Sequence, residues 1–189
     1  MYSDEIFGWF GDGHKETYDM FIKNAKNNQI ILEIGCFLGK SSMYLAEKIK
    51  NSEKNIKLYC VDLFTIRNDY PSNEILRNKL RSQFGTDLLP QFKNHMKKIG
   101  VENIVVPIKM NSHDALDKFE KENIKFDYIF IDGGHNYDIV KPDILKSLKI
   151  LNKNGIIAGD DYITSNDVKK AVDEIFENSV KINKNAWYL

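Results

Sequence analysis

The stretch Ile31-Leu32-Glu33-Ile34-Gly35-Cys36-Phe37-Leu38-Gly39-Lys40-Ser41-Ser42 governs the reading of the whole chain. Its apolar first half predicts a strand, its two glycines a turn, and Lys40 onward a helix. Glycine accepts unusual dihedrals and lets a ligand approach the backbone. In an open α/β sheet, the carboxyl end of the first strand is where a nucleoside cofactor sits. A P-loop needs four residues between its glycines, but only Cys36, Phe37 and Leu38 separate Gly35 from Gly39. A dinucleotide fingerprint needs a middle glycine where Phe37 stands.

Outward from this turn, short apolar runs at 30–34, 57–63, 104–110, 126–132 and 155–159 alternate with helical patterns at 40–50, 88–99, 115–123, 137–150 and 166–178. Several of the runs are apolar throughout, as strands covered on both faces are. The tail, 180–189, reads as one or two short strands around Asn183-Lys184-Asn185. Such alternation predicts a doubly wound, mostly parallel α/β sheet of seven strands, with helices on both faces and an antiparallel C-terminal strand. One domain is expected over 1–189. Two regions depart from the pattern: 2–20, with Phe7, Trp9 and Phe10, and the polar stretch 67–84 around Pro71. Both are candidate flaps over a ligand, residues 1–28 forming an N-terminal segment or lid; ordinary packing and a surface loop are the alternatives.

Lysine plus arginine equal aspartate plus glutamate at 27 each, so no net field draws the chain to nucleic acid or an anionic membrane. Cys36 and Cys60 are the only cysteines and lie in apolar runs, which argues against a disulfide scaffold and for a reducing cytoplasm. The acidic start has no basic or apolar signal character, and no run approaches a membrane span of ~18 residues.

The second strand ends in Asp62, a carboxylate that can accept both ribose hydroxyls. A nicotinamide cofactor would satisfy the same acid, so Asp62 points to a ribose without naming the cofactor. Two later strands end in acid as well, at Asp132 and at Asp160-Asp161. If those strands are neighbours, three carboxylates meet at one sheet edge, and like charges there require a counter-charge. A hard divalent cation such as magnesium is the natural one. His14, His95 and His113 read as surface or packing residues. Asn111 and Ser112 either line a ligand or cap the helix that follows.

The pattern Glu33-x-Gly35-x-x-x-Gly39 resembles the first motif of class I S-adenosylmethionine-dependent methyltransferases. That resemblance implies a cofactor site built from Glu33, Gly35, Gly39, Ser41, Asp62, Asn111, Ser112 and Asp132. Within it, Gly35 lies beside the methionine portion, Glu33 orients its amino group, and Asn111 and Ser112 approach the adenine. Ile131-Asp132-Gly133-Gly134-His135 and Gly159-Asp160-Asp161-Tyr162 are similar to the metal-dependent O-methyltransferase branch, which includes catechol, caffeoyl-coenzyme A and macrolide-sugar enzymes. By the same resemblance Asp132, Asp160 and Asp161 bind Mg2+ or another divalent cation, His135 is the general base, and the acceptor is a small-molecule hydroxyl, on a sugar first and a phenol second. Relatives frequently assemble as homo-oligomers. Two departures stand out: Asn154-Gly155 replaces the usual Gly-Gly, with asparagine expected to tolerate a left-handed turn, and Asp161 is often asparagine in relatives. The competing readings are a metal-independent methyltransferase, a catalytically silent nucleoside-binding module and a nicotinamide oxidoreductase.

Overall fold

A computed structural model of the protein describes residues 2–68, 73–177 and 179–189. After a short 3-10 turn at Tyr2–Glu5, the elements run α1 (Asp12–Asn24), β1 (Ile30–Ile34), α2 (Lys40–Asn51), β2 (Lys57–Asp62), α3 (Glu74–Phe84), α4 (Leu89–Lys98), β3 (Val105–Lys109), α5 (Ser112–Lys121), β4 (Phe126–Ile131), α6 (Tyr137–Ile150), β5 (Leu151–Gly159), α7 (Asn166–Phe176), β6 (Lys181–Asn183) and β7 (Ala186–Tyr188). The seven strands lie in the order β3-β2-β1-β4-β5-β7-β6. β1 to β5 are mutually parallel, and β7 pairs antiparallel with both β5 and β6. Strand order reverses at β1, between β2 and β4, and the crevice at such a switch point is the ligand site of an open sheet.

Alternation along β1 builds two cores. Ile31 joins the face covered by α1, α2 and α4, with Tyr18, Phe21, Tyr44, Leu45, Ile49, Phe92 and Met96. Leu32 and Ile34 join the opposite face, with Leu116, Phe119, Val140, Ile144, Val172 and Trp187 from α5, α6, α7 and β7. Among the described residues, no helix is long and apolar enough to cross a membrane.

Three expectations need correction. The helical part of the N-terminal segment is core rather than a loose flap, since α1 buries His14, Thr17, Tyr18, Phe21 and Ile22, while Phe7 and Trp9 ahead of it stay exposed. Most of the polar stretch 67–84 is helix α3, started by the Asn73 side chain accepting from the Leu76 N–H and ended at Gly85 with φ 74°; Pro71 lies outside the described residues. Asn154 takes no left-handed turn. β5 begins at Leu151 and absorbs Asn154 and Gly155 through a register shift opposite β4, where a side chain on Gly155 would meet the Asp127 carbonyl at 2.9 Å.

Glu33 is the one charged side chain on β1, and it is fully buried on the α1–α2 face. Its Oε1 accepts from the Tyr18 hydroxyl at 2.8 Å and from Ser41 at 2.5 Å, and its Oε2 accepts from Ser42. A buried carboxylate is tolerated only when its lone pairs are met this way. The result ties α1 and the first turn of α2 to the central strand.

Two substitutions test this. Phe21→Ala should lower unfolding stability by ~3–5 kcal/mol in urea denaturation, the cost of emptying a core site, whereas a lid residue would change it little. Glu33→Gln sets an amide N–H2 against hydroxyl donors and should cost ~1–3 kcal/mol by the same measurement.

Candidate functional site

The glycine turn leaves β1 at the switch point. Gly35 has φ 88°, and a Cβ there would lie 1.9 Å from the Asp132 carbonyl oxygen, so only glycine lets the turn pass the end of β4. Gly39, at φ 87°, faces Phe92 and Met96, which a side chain would meet at 2.8 Å. It therefore serves the approach of α4 to the turn. Asp62 closes the turn from the other side. Its Oδ2 accepts from the Cys36 and Phe37 N–H groups, both at 2.8 Å, and its Oδ1 from the Phe64 N–H at 2.5 Å. Burial raises the Asp62 pKa, and these three amides counter the rise.

The expectations for the neighbouring residues are partly redirected. Glu33 and Ser41 hold each other inside the helix-facing layer, so here they support the turn instead of lining the open edge. Asn111 is the N-cap of α5, its Oδ1 accepting from the His113 N–H at 2.9 Å. Ser112 is the first residue of that helix, near the buried Asp143 carboxyl, which burial pushes up to about 6 against the lowering influence of Ser112 and His113.

The acids do converge. Ile131 pairs with Gly159 in the β4–β5 ladder, and the Asp160 N–H donates to the Ile131 carbonyl at 3.1 Å, which sets Asp132 beside Asp160. Asp161 has φ 64°, a left-handed conformation that aspartate tolerates better than most residues. Successive carboxylates are thereby sent different ways. Asp160 Oδ2 stands 3.7 Å from His14 Nδ1, while Asp161 Oδ2 stands 3.1 Å from His135 Nε2. Asp132 is shared, its Oδ2 lying 3.8 Å from His14 Nδ1 and its Oδ1 3.7 Å from His135 Nε2. Two ligand-like triads result, His14-Asp132-Asp160 and Asp132-His135-Asp161.

His14 was expected at the surface or in ordinary packing; the structure brings it into the acid cluster. Its ring stacks on Phe130 at 4.0 Å and meets Tyr18 edge-on at 4.6 Å. Neither ring nitrogen, nor Asp160 Oδ1, finds a hydrogen-bond partner among the described residues, although all three atoms are buried. Buried polar atoms are ordinarily paired. Orphaned nitrogen and oxygen donors around a crowd of carboxylates fit a divalent cation.

The charges push one another apart. Burial raises Asp132 to about 6, against the pull of His135 and His14, and Asp160 adds to the rise. Burial opposes ionisation of Asp160 too, but His14, the Asp161 N–H and His135 outweigh it and hold that carboxyl below its ordinary range. Asp132 raises the His135 imidazole, burial opposes, and Asp161 and Asp160 add to the increase. A site where neighbouring groups are driven in opposite directions is suited to proton transfer. A separate cavity of about 440 Å³, lined by Asn24, Gln29, Asp127 and Asn152, opens at the amino ends of the strands, away from these groups.

The family described as "Methyltransferase domain" matches residues 32–162, from the strand before the glycine turn to the tyrosine after the paired acids. No curated protein matches the sequence. Solved structures of the same fold include the calicheamicin methyltransferase CalS11, 15% identical with a TM-score of 0.65 over 93% of this chain and 76% of that one. The O-methyltransferase NovP is 14% identical with a TM-score of 0.68, covering 94% and 77%. An rRNA methylase from Streptococcus thermophilus is 14% identical with a TM-score of 0.61, covering 96% of each chain. At these identities the likeness is one of fold, and it is the family match, spanning more than half the chain and both sides of the switch point, that decides the matter. The chain belongs to the class I S-adenosylmethionine-dependent methyltransferases.

Proposed function

We propose that the protein moves the methyl group of S-adenosylmethionine to a hydroxyl of a small molecule, with a divalent cation (magnesium in the first instance) held at the acid cluster. The observation that carries this reading is the meeting of Asp132, Asp160 and two histidines at the carboxyl ends of β4 and β5, directly against Gly35. The cofactor's methionine portion lies along the Gly35 turn, Asp62 serves the ribose, and the edge between β3 and α5, at Asn111 and Ser112, serves the adenine. The crevice follows the switch-point rule for open sheets, and the assignment of its parts is what the resemblance to class I methyltransferases implies.

Asp132 and Asp160 are the first choice as carboxylate ligands, with Asp161 beside them. A cation there supplies positive charge that lowers the pKa of a neighbouring hydroxyl. His135 is the base. Its side chain is 37% exposed, so an acceptor can reach it, and Asp161 and Asp132 flank its Nε2 and favour the imidazolium that forms when it takes the hydroxyl proton. The acceptor oxygen forms a bond to the methyl carbon as the carbon–sulfur bond breaks, leaving S-adenosylhomocysteine. Fixing both reactants on one sheet edge supplies alignment, which is a large part of what a methyl transfer needs. Phe7, Trp9 and Phe37 form an aromatic group beside the turn, with ring centroids 5.5–6.3 Å apart, and offer an apolar wall to the acceptor.

The acceptor class is drawn from two considerations. CalS11 is a TDP-rhamnose 3'-O-methyltransferase, which favours a sugar hydroxyl, with phenols second. The balance of 27 basic and 27 acidic residues gives RNA no overall attraction, which favours a small-molecule acceptor. The nicotinamide alternative does not survive the family match.

Two measurements test the reading. S-adenosylhomocysteine release should appear with nucleotide sugars or catechols plus Mg2+ or Mn2+, vanish in EDTA, and return with excess metal; undiminished turnover in EDTA would refute the metal's part. Asp160→Asn should cut turnover by ~100-fold or more while S-adenosylhomocysteine affinity, read by calorimetry, stays within ~threefold, because the substitution weakens the metal shell and leaves the glycine turn alone.

A further inference from the structure

We infer that His14 is a metal ligand and that the cation is held by His14 Nδ1, Asp132 and Asp160, with Asp161 acting instead as the support of His135. This inference rests on the metal-assisted reading above and reassigns one of its ligands. No motif pointed to His14, which reaches the acid cluster only because α1 folds over the end of β4.

Satisfaction of their polar atoms separates Asp161 from Asp160 and His14. Asp161 is already committed: its Oδ1 accepts from the Thr164 hydroxyl at 2.5 Å and from Asn185 Nδ2 at 3.1 Å, and its Oδ2 faces His135. Asp160 Oδ1 and both nitrogens of His14 have no hydrogen-bond partner among the described residues. His14 is 1% exposed, so bulk solvent does not reach its ring nitrogens. Leaving such groups unmet is costly, a demand that a bound ion removes.

The distances agree. His14 Nδ1 lies 3.8 Å from Asp132 Oδ2 and 3.7 Å from Asp160 Oδ2. Both separations exceed a hydrogen bond of ~2.7–3.2 Å. Two ligands that each stand ~2.1 Å from one ion lie ~3–4 Å apart, which is the spacing found. The imidazole is also held in place, stacked on Phe130 with an interplanar angle of 18° and bordered by Phe10 at 5.1 Å. Gly13 permits this placement. A side chain there would meet the Asn183 carbonyl at 2.4 Å and push α1, with His14, off the β6–β7 hairpin.

One nitrogen and two carboxylates make a different donor set from three carboxylates. Imidazole raises the preference for Mn2+, Co2+ or Zn2+ over Mg2+. The chain should therefore bind Mn2+ more tightly than Mg2+ in direct competition.

The experiment is a Mn2+ titration of the chelator-treated protein, followed by the free-ion electron paramagnetic resonance signal. His14→Phe keeps the ring stack and removes the ligand; it should weaken Mn2+ by ~tenfold or more, while Asp161→Asn changes it by less than ~threefold. Folding of His14→Phe is checked by circular dichroism. Should it fail to fold, pulsed spectra of the Mn2+-loaded His135→Ala protein decide, since a nitrogen-14 coupling that persists there comes from His14. Loss of that coupling in His135→Ala, or full Mn2+ affinity in His14→Phe alongside lost affinity in Asp161→Asn, overturns the assignment and leaves the metal-assisted reading intact. Wild-type protein that takes up no Mn2+, Co2+ or Mg2+ refutes the metal reading and this assignment together.

Discussion

The arrangement depends on one close approach, the passage of Gly35 against the carbonyl of Asp132. The Gly35 N–H donates to the Val61 carbonyl at 2.9 Å and the Asp132 N–H to the Ile34 carbonyl at 2.8 Å, so the ladders continue one residue past the end of β1 on one side and of β4 on the other. The turn that leaves β1 is thus pinned by β2 on one side and β4 on the other. A side chain at position 35 would overlap the backbone of β4, and interiors packed to crystal-like density have no slack to absorb such an overlap. Turn and acids are therefore one rigid unit, and a cofactor laid on the first is presented to the second at a fixed distance.

Around that unit, the sequence places polar atoms where packing alone would place hydrocarbon. Glu33 sits mid-strand and receives hydroxyls from α1 and from the start of α2. Asp62 turns its carboxylate back on the amides of residues 36, 37 and 64. Neither carboxylate is needed to fill space, and hydrophobic replacements of buried charges are often no less stable. What they add is direction: α1 is anchored to β1 at Tyr18, which fixes the rotation of the helix about its own axis. His14 lies one turn before Tyr18, on the same face, and so points at the end of β4.

Most of the sheet was legible because its signals are local. The apolar runs of β1, β2 and β4 are buried on both faces and bounded by glycine or acid, and α6 runs over the residues its apolar spacing indicated. The convergence of Asp132 and Asp160 followed from adjacency alone. α1 was harder to see because polar residues occupy its inward positions: His14, Thr17, Tyr18, Phe21 and Ile22 keep helical spacing, but the first two weaken the apolar stripe. α3 buries only Leu80, so it has almost no periodicity to read; its signals were Asn73 and Gly85 at the ends. His14 itself could have been found by asking why a histidine opens that stripe. The capping bond of Asn111 and the serine contacts of Glu33 depend on side-chain orientation, which spacing does not carry.

The consecutive acids after β5 show how a backbone choice becomes chemistry. In ordinary strand geometry Asp160 and Asp161 would point to opposite faces of the sheet, and one would be lost to the site. The left-handed conformation of Asp161 breaks that alternation and keeps both carboxylates at the carboxyl edge, on either side of Asp132. Asn185, from the tight turn between β6 and β7, holds the bend by accepting from the Ile163 and Thr164 N–H groups at 3.1 Å while its own amide donates to Asp161. The two acids are thereby given unequal surroundings: one satisfied by the protein and set against an accessible histidine, the other left with an unpaired oxygen beside a buried one. On the proposed reading that inequality separates the base from the metal. It also couples occupancy to stability, since an ion that meets the orphaned atoms of the inner triad stabilises the folded chain in proportion to how far its concentration exceeds its dissociation constant.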